Sequence, residues 1–517
     1  MADRKPIPII DLFAGPGGLG EGFSSVRDEH GNPVFSLRVS VEKDEIAHQT
    51  LSLRALFRKF PRGKAPECYY EHIRGNITRK ELFEHPDAKE AAREALEEAR
   101  CAELGKDSSE EIDGWIKAGL DGASDWVLIG GPPCQAYSLA GRSRRTRESQ
   151  EKFESDEKHF LYREYLRIIR RFGPTVFVME NVKGMLSSTH GGSPIFDRII
   201  EDLSRPGPDL SYEIRSLVVP GTAETLDPQN FVIEAEHYGV PQGRHRVILF
   251  GIRSDAAKAT KELILEPARF TLRNRNEPVS VGEALSGLPS LRSKISRGKD
   301  GRDEWLAALD ETPSLLSGWN PTARAKVEAA IRAAAQKARS LNSTGGAFVK
   351  WDTGQNELNH RLSKWLLDPR IGGVIQHESR SHMRSDLHRY LFASAYAAEF
   401  SVSPKVTSFP PLLLPDHGNV TSEKVPFADR FRVQTKGSWS STVVAHIAKD
   451  GHYFIHYDPS QCRSLTVREA ARLQTFPDNY FFAGNRTQQY TQVGNAVPPW
   501  LARRIASVVA GFMELRR

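Results

Sequence analysis

Short apolar runs that end in small or polar residues recur along the first half of the chain, and they predict buried strands. The first run, residues 6–12, passes into a glycine-rich turn at 14–18 and then into the start of a helix. Comparable runs follow at 36–41, 126–129, 175–179 and 246–252. This rhythm is typical of an α/β nucleotide-binding sheet, in which ligands lie at the carboxyl ends of the strands.

The rhythm changes twice. Residues 79–119 are rich in Glu, Ala, Lys and Arg at helical spacing, which predicts a solvated helical insertion without chemistry. From 291 to 464 the order of strands and helices is lost, and a basic run at 292–302 and a helix at 322–341 stand among Gly/Ser turns. Amphipathic helices return at 467–473 and 499–512. We therefore expect a catalytic domain over 1–290, a second domain over 291–464, and a segment over 465–517 that returns to the first.

Composition narrows the class of protein only modestly. The chain has 517 residues, enough for several domains, and a formal charge of +6, which suits a polyanionic partner without requiring one. Its four cysteines are far apart and lack the spacing of a zinc site, so we expect a reduced protein without metal. Because no leader and no run of roughly 20 apolar residues is present, we expect a soluble, cytoplasmic protein without a membrane segment.

The turn after the first strand, Asp11 to Gly20, predicts a cofactor site. Gly15 and Gly17 allow close approach of the backbone to a ligand, and the helix that follows favours a polar group at its start. Glu42 ends the next strand, where a ribose-binding carboxylate belongs. A dinucleotide or S-adenosylmethionine fits, and a tight turn without ligand is the alternative. The loop lacks G-x-G-x-x-G and G-K-[ST], which disfavours NAD and ATP.

A second loop, residues 130–138, is predicted to hold the thiol of Cys134 in a fixed orientation. Two glycines and two prolines precede Cys134 at the end of a strand, a lead-in that a cysteine buried for packing does not need. Carbon 6 of cytosine is a poor electrophile, and a thiolate with a lowered pKa is the soft nucleophile that its activation requires. The loop therefore predicts a nucleophilic cysteine.

Two further segments offer partners for this thiol. Glu180 follows the 175–179 strand and could protonate or hydrogen-bond the ring N3 of a base, although a helix-capping or solvated role is the alternative. Gln242, Arg244 and Arg246 alternate and so can share one side of a strand. Guanidinium groups there could hold the base O2 and a phosphate, or form ordinary surface ion pairs.

In this order, these segments resemble the cytosine-5 DNA methyltransferase family. Residues 463–478 resemble the family's late helix that supports the small domain, and 492–499, Gln-Val-Gly-Asn-Ala-Val-Pro-Pro, resemble its last motif. The resemblance spans residues 8–506. It implies a Rossmann-like S-adenosylmethionine-dependent methyltransferase domain, a smaller target-recognition domain, and methyl transfer to C5 of cytosine through a covalent intermediate.

The resemblance also implies roles for single residues. Those around S-adenosylmethionine are Phe13, Ala14, Gly15, Gly17, Gly18, Leu19, Glu42, Pro132, Asn495 and Ala496. Many members carry Gly-Asp-Ile as a third motif, and the nearest match here is Gly75 with Asn76 and Ile77. The catalytic residues are Cys134, Glu180, Arg244 and Arg246, and substrate contacts are expected from Gln135, Ser138, Asn181, Gln242, Arg384 and Arg430.

A base inside a duplex hides C5 and C6, so the target must be flipped out, and the second domain must grip DNA. The basic clusters at 380–384 and 429–432 could meet phosphates, and the Gly/Ser/Thr-rich stretch 435–442 could reach base edges or form a plain turn. The resemblance implies duplex DNA as partner and suggests a cognate restriction endonuclease acting on the same site, and we expect a monomer associated with the nucleoid because one domain pair encloses the flipped base. The alternatives are an RNA (tRNA) cytosine-5 methyltransferase and a silent DNA-binding regulator of the same fold, while a Rossmann oxidoreductase leaves the Pro-Pro-Cys loop unexplained.

Overall fold

The computed structural model describes residues 5–133, 161–190, 193–260, 270–274, 277–351, 362–415 and 428–516. Its strands are β1 Ile7–Leu12, β2 Phe35–Glu42, β3 Ala99–Cys101, β4 Val127–Gly130, β5 Val176–Val182, β6 Thr189–His190, β7 Ser193–Pro194, β8 Tyr212–Arg215, β9 Val232–Glu234, β10 Gln242–Gly243, β11 His245–Arg253, β12 Lys294–Ile295, β13 Gly345–Lys350, β14 Gly373–Glu378, β15 Ser381–His382 and β16 Ser440–Ser441.

The α-helices fall into an N-terminal group, a middle group and a C-terminal group. They are α1 Gly18–Ser24, α2 Glu45–Arg58, α3 Glu67–Arg74, α4 Arg79–Glu84, α5 Lys89–Glu98, α6 Ser109–Leu120, α7 Leu161–Phe172, α8 Ile195–Ser204, α9 Ser254–Thr260, α10 Val281–Ala284, α11 Arg302–Glu311, α12 Pro321–Ala338, α13 Ser363–Leu366, α14 Arg384–Phe400, α15 Val467–Leu473, α16 Arg486–Asn495 and α17 Pro499–Glu514.

An eight-stranded sheet forms the centre of the molecule, in the order β3-β2-β1-β4-β5-β11-β8, with β9 also paired to β11. β1, β2, β3, β4 and β5 are parallel, and β11 runs antiparallel to β5, β8 and β9. The five predicted strands are confirmed. Since parallel strands end at one edge, the loops after β1, β2, β4 and β5 lie close together there.

Both faces of this sheet are covered, which explains why its strands read as unbroken apolar runs. Side chains alternate between the faces: Val127 and Ile129 of β4 belong to one buried cluster and Leu128 to another. Helices α1 and α17 cover the first face, while α6, α7 and α8 cover the second. The predicted final helix is confirmed, and it packs against the central sheet.

The segment 79–119 differs from the solvated insertion that its composition predicts. It is largely helical, but it also supplies β3, which extends the sheet beside β2, and α6, whose Ile112, Ile116 and Leu120 are buried against the sheet. The prediction failed because an apolar stripe with spacing of four residues is narrow, and Glu and Lys on the other faces dominate the composition.

The middle segment has a core of its own, built from α11, α12 and α14 around side chains such as Trp305, Ile331 and Leu391. Helix α12 confirms the predicted helix, and β13 and β14 form an antiparallel pair. The boundaries at 291 and 464 stay predictions. Among the described residues, no helix is both long and apolar enough to cross a membrane.

Helix α15, whose predicted bounds are confirmed, lies at the junction of the two regions and begins at a capping box. Thr466 and Glu469 bond each other's backbone N–H groups, and the Glu469 carboxylate also pairs with the buried Arg463 through two contacts of 2.7 Å. A charged pair in the interior is tolerated when its geometry satisfies both partners. This pair therefore holds the start of α15 in place.

Candidate active site

The loop after β1 is built from backbone conformations that most residues avoid. Phe13 has φ 56°, Gly15 has φ 57° and Gly17 has φ 95°. A non-glycine residue in the left-handed region costs about 1–2 kcal/mol, so the surrounding contacts must hold Phe13 there. Such strain is commonly found where a ligand is bound.

The Glu42 side chain fixes the backbone of this loop two residues after Phe13. Its Oε2 accepts a hydrogen bond from Gly15 N at 2.8 Å, and its Oε1 accepts one from Asp44 N at 2.8 Å. Burial raises the pKa of Glu42, while these two backbone N–H groups lower it. The structure thus brings together the glycine loop and the carboxylate that the sequence assigned to one cofactor site.

Close packing explains two of the loop glycines. A Cβ atom on Gly18 would lie 2.2 Å from Val497 O, and one on Gly17 would lie 2.9 Å from Leu51 Cδ1. At Gly15, by contrast, a Cβ atom would meet no described heavy atom within 4 Å. The segment after Asn495 therefore returns to the loop, and Gly15 faces open space.

The third-motif candidate is exposed. Asn76 lies between α3 and α4, and its Nδ2 donates to Glu71 Oε2 at 2.6 Å. The strand that lies beside β2 is β3, and after it Ala102 N donates to Glu42 O at 3.1 Å. The strand order therefore places residues 101–103 beside Glu42, while contact of Asn76 and Ile77 with the cofactor stays a prediction.

The acid candidate lies beside the approach to the thiol. β4 runs into Gly131, Pro132 and Pro133, and a Cβ atom on Gly131 would lie 3.0 Å from Glu180 Oε2. A side chain at position 131 would therefore crowd this carboxyl group. Cys134, Gln135 and Ser138 lie outside the described residues.

Glu180 is held from the other side by Arg246. Arg246 Nε lies 2.8 Å from Glu180 Oε1 across the antiparallel pair β5–β11, and both side chains are 15% exposed. Partial burial strengthens such a pair relative to one in water. Next to it, Asn181 is buried and its Oδ1 accepts from Val182 N at 2.8 Å.

Gln242 and Arg244 share a side with one another, as the alternation predicts, but both are buried and bonded within the protein. Arg244 Nη1 donates to Val443 O at 3.0 Å and to Gly494 O at 3.3 Å. Gln242 accepts from Val443 N at 2.9 Å. Burial, aided by the charge of Arg246, lowers the pKa of Arg244. Arg244 therefore joins its own strand to the segments that contain Val443 and Gly494. Arg246, in contrast, contacts the candidate acid Glu180.

The residues predicted to contact DNA lie in different environments. Arg380 is buried, and its guanidinium donates to Lys449 O at 3.0 Å and Ile447 O at 2.7 Å, so the prediction that the 380–384 cluster meets phosphates is wrong for this residue. Arg384 is 41% exposed and pairs with Glu311. The Arg430 guanidinium lies 6.0 Å from the ring centre of Phe431. Sequence alone could not distinguish these environments.

The stretch 435–442 pairs with the strand that leads to Arg244. Its Ser440 and Ser441 form β16, which pairs with Gln242 and Gly243 of β10, and Trp439 is 41% exposed beside Gly243. The same stretch lines a cavity of about 630 Å³ with Lys337 and Tyr457. Trp439 was missed from the sequence, although a single tryptophan in a Gly/Ser-rich stretch is the signal that could have identified it.

Comparisons with known proteins agree with the resemblance that the sequence motifs indicated. The model of the family described as C-5 cytosine-specific DNA methylase matches residues 106–510. The chain is 33% identical to the type II methyltransferase M.Bpa9945I of Bacillus paralicheniformis, over 97% of this chain and 98% of that protein. It is 26% identical to the type II methyltransferase M.AgeI of Thalassovita gelatinovora, over 97% and 98%.

A third relative and a solved structure extend the comparison. The DNA (cytosine-5-)-methyltransferase M.ApeKI of Aeropyrum pernix is 26% identical over 77% of this chain and 83% of its own. A crystal structure described as a prophage-encoded DNA modification methyltransferase of E. coli superposes with a TM-score of 0.51 at 19% identity, covering 98% of this chain and 99% of that one. That likeness supports the fold.

Proposed function

This chain belongs to the family of C-5 cytosine-specific DNA methylases, and from that premise we propose that it methylates C5 of a flipped-out cytosine in a specific duplex DNA sequence. S-adenosylmethionine is the methyl donor and Cys134 the nucleophile. The observation that carries the proposal is the position of the Glu180 carboxylate, which Arg246 holds beside Gly131. Gly131 belongs to the segment that runs directly into Pro133 and Cys134.

In this proposal the thiol and the acid act on opposite ends of one electron shift. The Cys134 thiolate adds to C6 of the ring, and the electron pair displaced from the C5–C6 bond is stabilised as Glu180 gives a proton or hydrogen bond to N3. C5 thereby becomes nucleophilic. When C5 takes the methyl group, the electron shift reverses and N3 returns its proton to Glu180. A base then removes the proton on C5, the electrons of that bond re-form the C5–C6 double bond, and the thiolate leaves C6, which restores the ring and the enzyme.

Arg246 and Arg244 differ in their proposed roles. Arg246 holds the Glu180 carboxyl group in place, and in this proposal it also contacts the base O2. Arg244 acts as a positioning residue, because its bonds to Val443 O and Gly494 O fix the segments on either side of the base pocket. Gln242 supports the same junction through Val443 N.

The residues that would hold S-adenosylmethionine fit a cofactor of its kind. The open space at Gly15, the strained Phe13 and the carboxylate of Glu42 line one place at the edge of the sheet. Ala14, Gly17, Gly18, Leu19, Pro132, Asn495 and Ala496 complete the proposed wall. When bound, S-adenosylmethionine supplies an electrophilic methyl group, while the chain orients the base towards it.

We assign recognition of the DNA sequence to the segment 291–464, with the stretch 435–442 nearest the target base. β16 joins this stretch to β10, so Trp439 and its neighbours extend from the strand that leads to Arg244. We further propose that the enzyme acts as a monomer on DNA in the cytoplasm. Its cellular role would be to protect sites that a cognate restriction endonuclease cuts, as the names of its type II relatives suggest.

Bisulfite sequencing of plasmid DNA tests the proposal. A methylation-free bacterial host would express the wild type, Cys134→Ala, Glu180→Gln, or Cys68→Ala, which removes a thiol in α3 and serves as the matched control. We expect wild type and Cys68→Ala to protect cytosines in one short sequence, Cys134→Ala to protect none, and Glu180→Gln to act at least about 100-fold more slowly.

Binding of duplex DNA by Cys134→Ala should persist, because the grip on DNA comes from the recognition segment. Methylation by Cys134→Ala would overturn the proposed nucleophile. If even the wild type protects no DNA, the proposal for DNA fails, and the same variants would then be assayed on tRNA.

A further inference from the structure

Three side chains outside the proposed active site converge where β11 begins. Glu234 ends β9, Glu236 lies in the short 3-10 helix Ala235–Tyr238, and His245 is the first residue of β11. Glu234 and His245 are paired across the antiparallel strands. One potential ligand atom from each of the three lies within 4.8 Å of the other two.

The hydrogen bonds within this cluster leave one oxygen unsatisfied. His245 Nε2 lies 2.8 Å from Glu236 Oε1, and His245 Nδ1 lies 3.9 Å from Glu234 Oε1. The Glu236 side chain is only 6% exposed, and its Oε2 meets no hydrogen-bond donor among the described residues. A buried acceptor left in this state costs about 1–3 kcal/mol.

Charge leads to the same conclusion. The plain alternative is a protonated His245 clamped between two carboxylates, but a single imidazolium neutralises only one of them. It also leaves Glu236 Oε2 without a partner. A divalent cation would neutralise both carboxylates and coordinate that oxygen.

We propose that Glu234, Glu236 and His245 form a binding site for a divalent transition-metal ion of the Zn²⁺, Co²⁺ or Mn²⁺ type. Two carboxylates with one imidazole suit these ions, whereas Mg²⁺ and Ca²⁺ prefer sites built from oxygen alone. His237 Nδ1, 3.4 Å from Glu234 Oε2, is near enough to join as a fourth ligand after a change of rotamer. This set differs from the cysteine-based zinc site that the sequence excludes.

The bound ion would clip β9 to β11 immediately before Arg246. It would also lie near the recognition stretch, since a Cβ atom on Gly243 would be 3.7 Å from Glu236 Oε1 and 3.2 Å from Trp439 Nε1. The ion's role is therefore structural. It would fix the strand that presents Arg246 and the loop that presents Trp439.

Co²⁺ titration of the full-length protein, after treatment with EDTA, tests the site. We expect one equivalent to bind with ligand-field absorption bands of nitrogen and oxygen ligands, without the charge-transfer band that thiolate ligands produce. Paramagnetic Co²⁺ should also quench part of the tryptophan fluorescence, and Trp439→Phe should remove that part.

Matched variants locate the ion. Glu236→Gln and His245→Gln should weaken Co²⁺ binding at least about ten-fold, while Glu224→Gln, an exposed carboxylate elsewhere, should leave binding unchanged. Should the buried Glu236→Gln fail to fold, Glu234→Gln, at a side chain 41% exposed, must show the same loss. Absence of the single equivalent in the wild type, or Co²⁺ affinities of Glu234→Gln and His245→Gln that equal the wild-type affinity, would overturn the proposal.

Discussion

A carboxyl group at position 11 lies inside the central sheet, and neither of its oxygens meets a hydrogen-bond donor among the described residues. Burial raises the pKa of Asp11 from 3.8 to about 8, and the charge of Arg58 offsets this only in part. Between those two pH values the folded protein keeps a proton that the unfolded chain has released. Folding stability contributed by this group is therefore complete below pH 3.8 and is lost as pH rises towards 8.

Asp11→Asn should remove this loss, because asparagine has the shape of the protonated acid and cannot ionise. A pKa difference of one unit corresponds to about 1.4 kcal/mol, so we expect the variant to gain several kcal/mol over the wild type by pH 8. Urea unfolding of the ligand-free protein at a series of pH values would measure the difference. A gap in free energy of unfolding that stays constant from pH 4 to pH 8 would contradict the argument.

Single residues also show where sequence reasoning stops. Alternation along the strand predicted that Gln242 and Arg244 face one way, and they do. Their bonding partners, Val443 and Gly494, are about 200 to 250 positions downstream, and periodicity carries no information about contacts at that separation. A role as a junction could therefore be assigned to Arg244 only from the structure.

At the scale of elements, glycines allow α1 to pack closely against α17 and against the segment that precedes α17. Cβ atoms on Gly18 and Gly22 would lie 2.2 Å from Val497 O and 2.3 Å from Ala502 Cβ. The first of these contacts is with backbone, which cannot rotate away as a side chain can. Two elements from the ends of the described chain thus approach more closely than any side chain would allow.

Gly18→Ala should therefore destabilise the protein by about 1–3 kcal/mol, the usual cost of overpacking, and weaken binding of S-adenosylmethionine. The control is Gly114→Ala in α6, where the added Cβ meets no described atom within 4 Å and helix propensity should stabilise by about 0.5–1 kcal/mol. Urea unfolding and calorimetric titration would compare them. Equal stability of the two variants would refute the close approach.

Elements were predictable wherever burial made their pattern simple. Strands with both faces covered gave continuous apolar runs, and α15 was predicted at its observed bounds because its capping box and apolar spacing are local signals. β3, only three residues long, has no such signal, and its place in the sheet depends on pairing with β2. Short edge strands are invisible to periodicity for this reason.

For the whole molecule, the attachment of Val443 to the strand that leads to Arg246 is made through backbone atoms. Gln242 and Arg244 bond to the backbone N and O of Val443, and these atoms are present whichever side chains surround them. The recognition segment can therefore vary in sequence without losing this attachment. Such an arrangement should allow related enzymes to exchange this segment, and with it the DNA sequence that they recognise.

Replacing residues 291–464 by the matching segment of a relative should then move methylation to that relative's DNA site, with activity within about ten-fold of either parent. Bisulfite sequencing of a plasmid that carries both sites would identify the target. A second chimaera that keeps residues 435–442 of this chain tests how much that stretch contributes. Methylation of the original site by the full exchange would contradict the assignment of recognition to this segment.

The family and its reaction were predictable from ordered motifs, because each motif is a short run whose chemistry can be read locally. The placement of β3 beside Glu42 required the sheet order. Residues that bind DNA were least predictable, since a basic residue in the sequence can be buried, as Arg380 is, or exposed. Burial of a charged side chain is decided by the rest of the fold.

The pairing of α1 with α17 has a consequence for the order of events during protein synthesis. The glycine loop emerges from the ribosome about 480 residues before the segment around Val497 that packs against it. A chain that lacks this segment can fold its first strands, but it cannot complete the proposed pocket for the methyl donor. The capacity to modify DNA should therefore appear only after that segment has been made, so that unfinished chains leave the genome untouched.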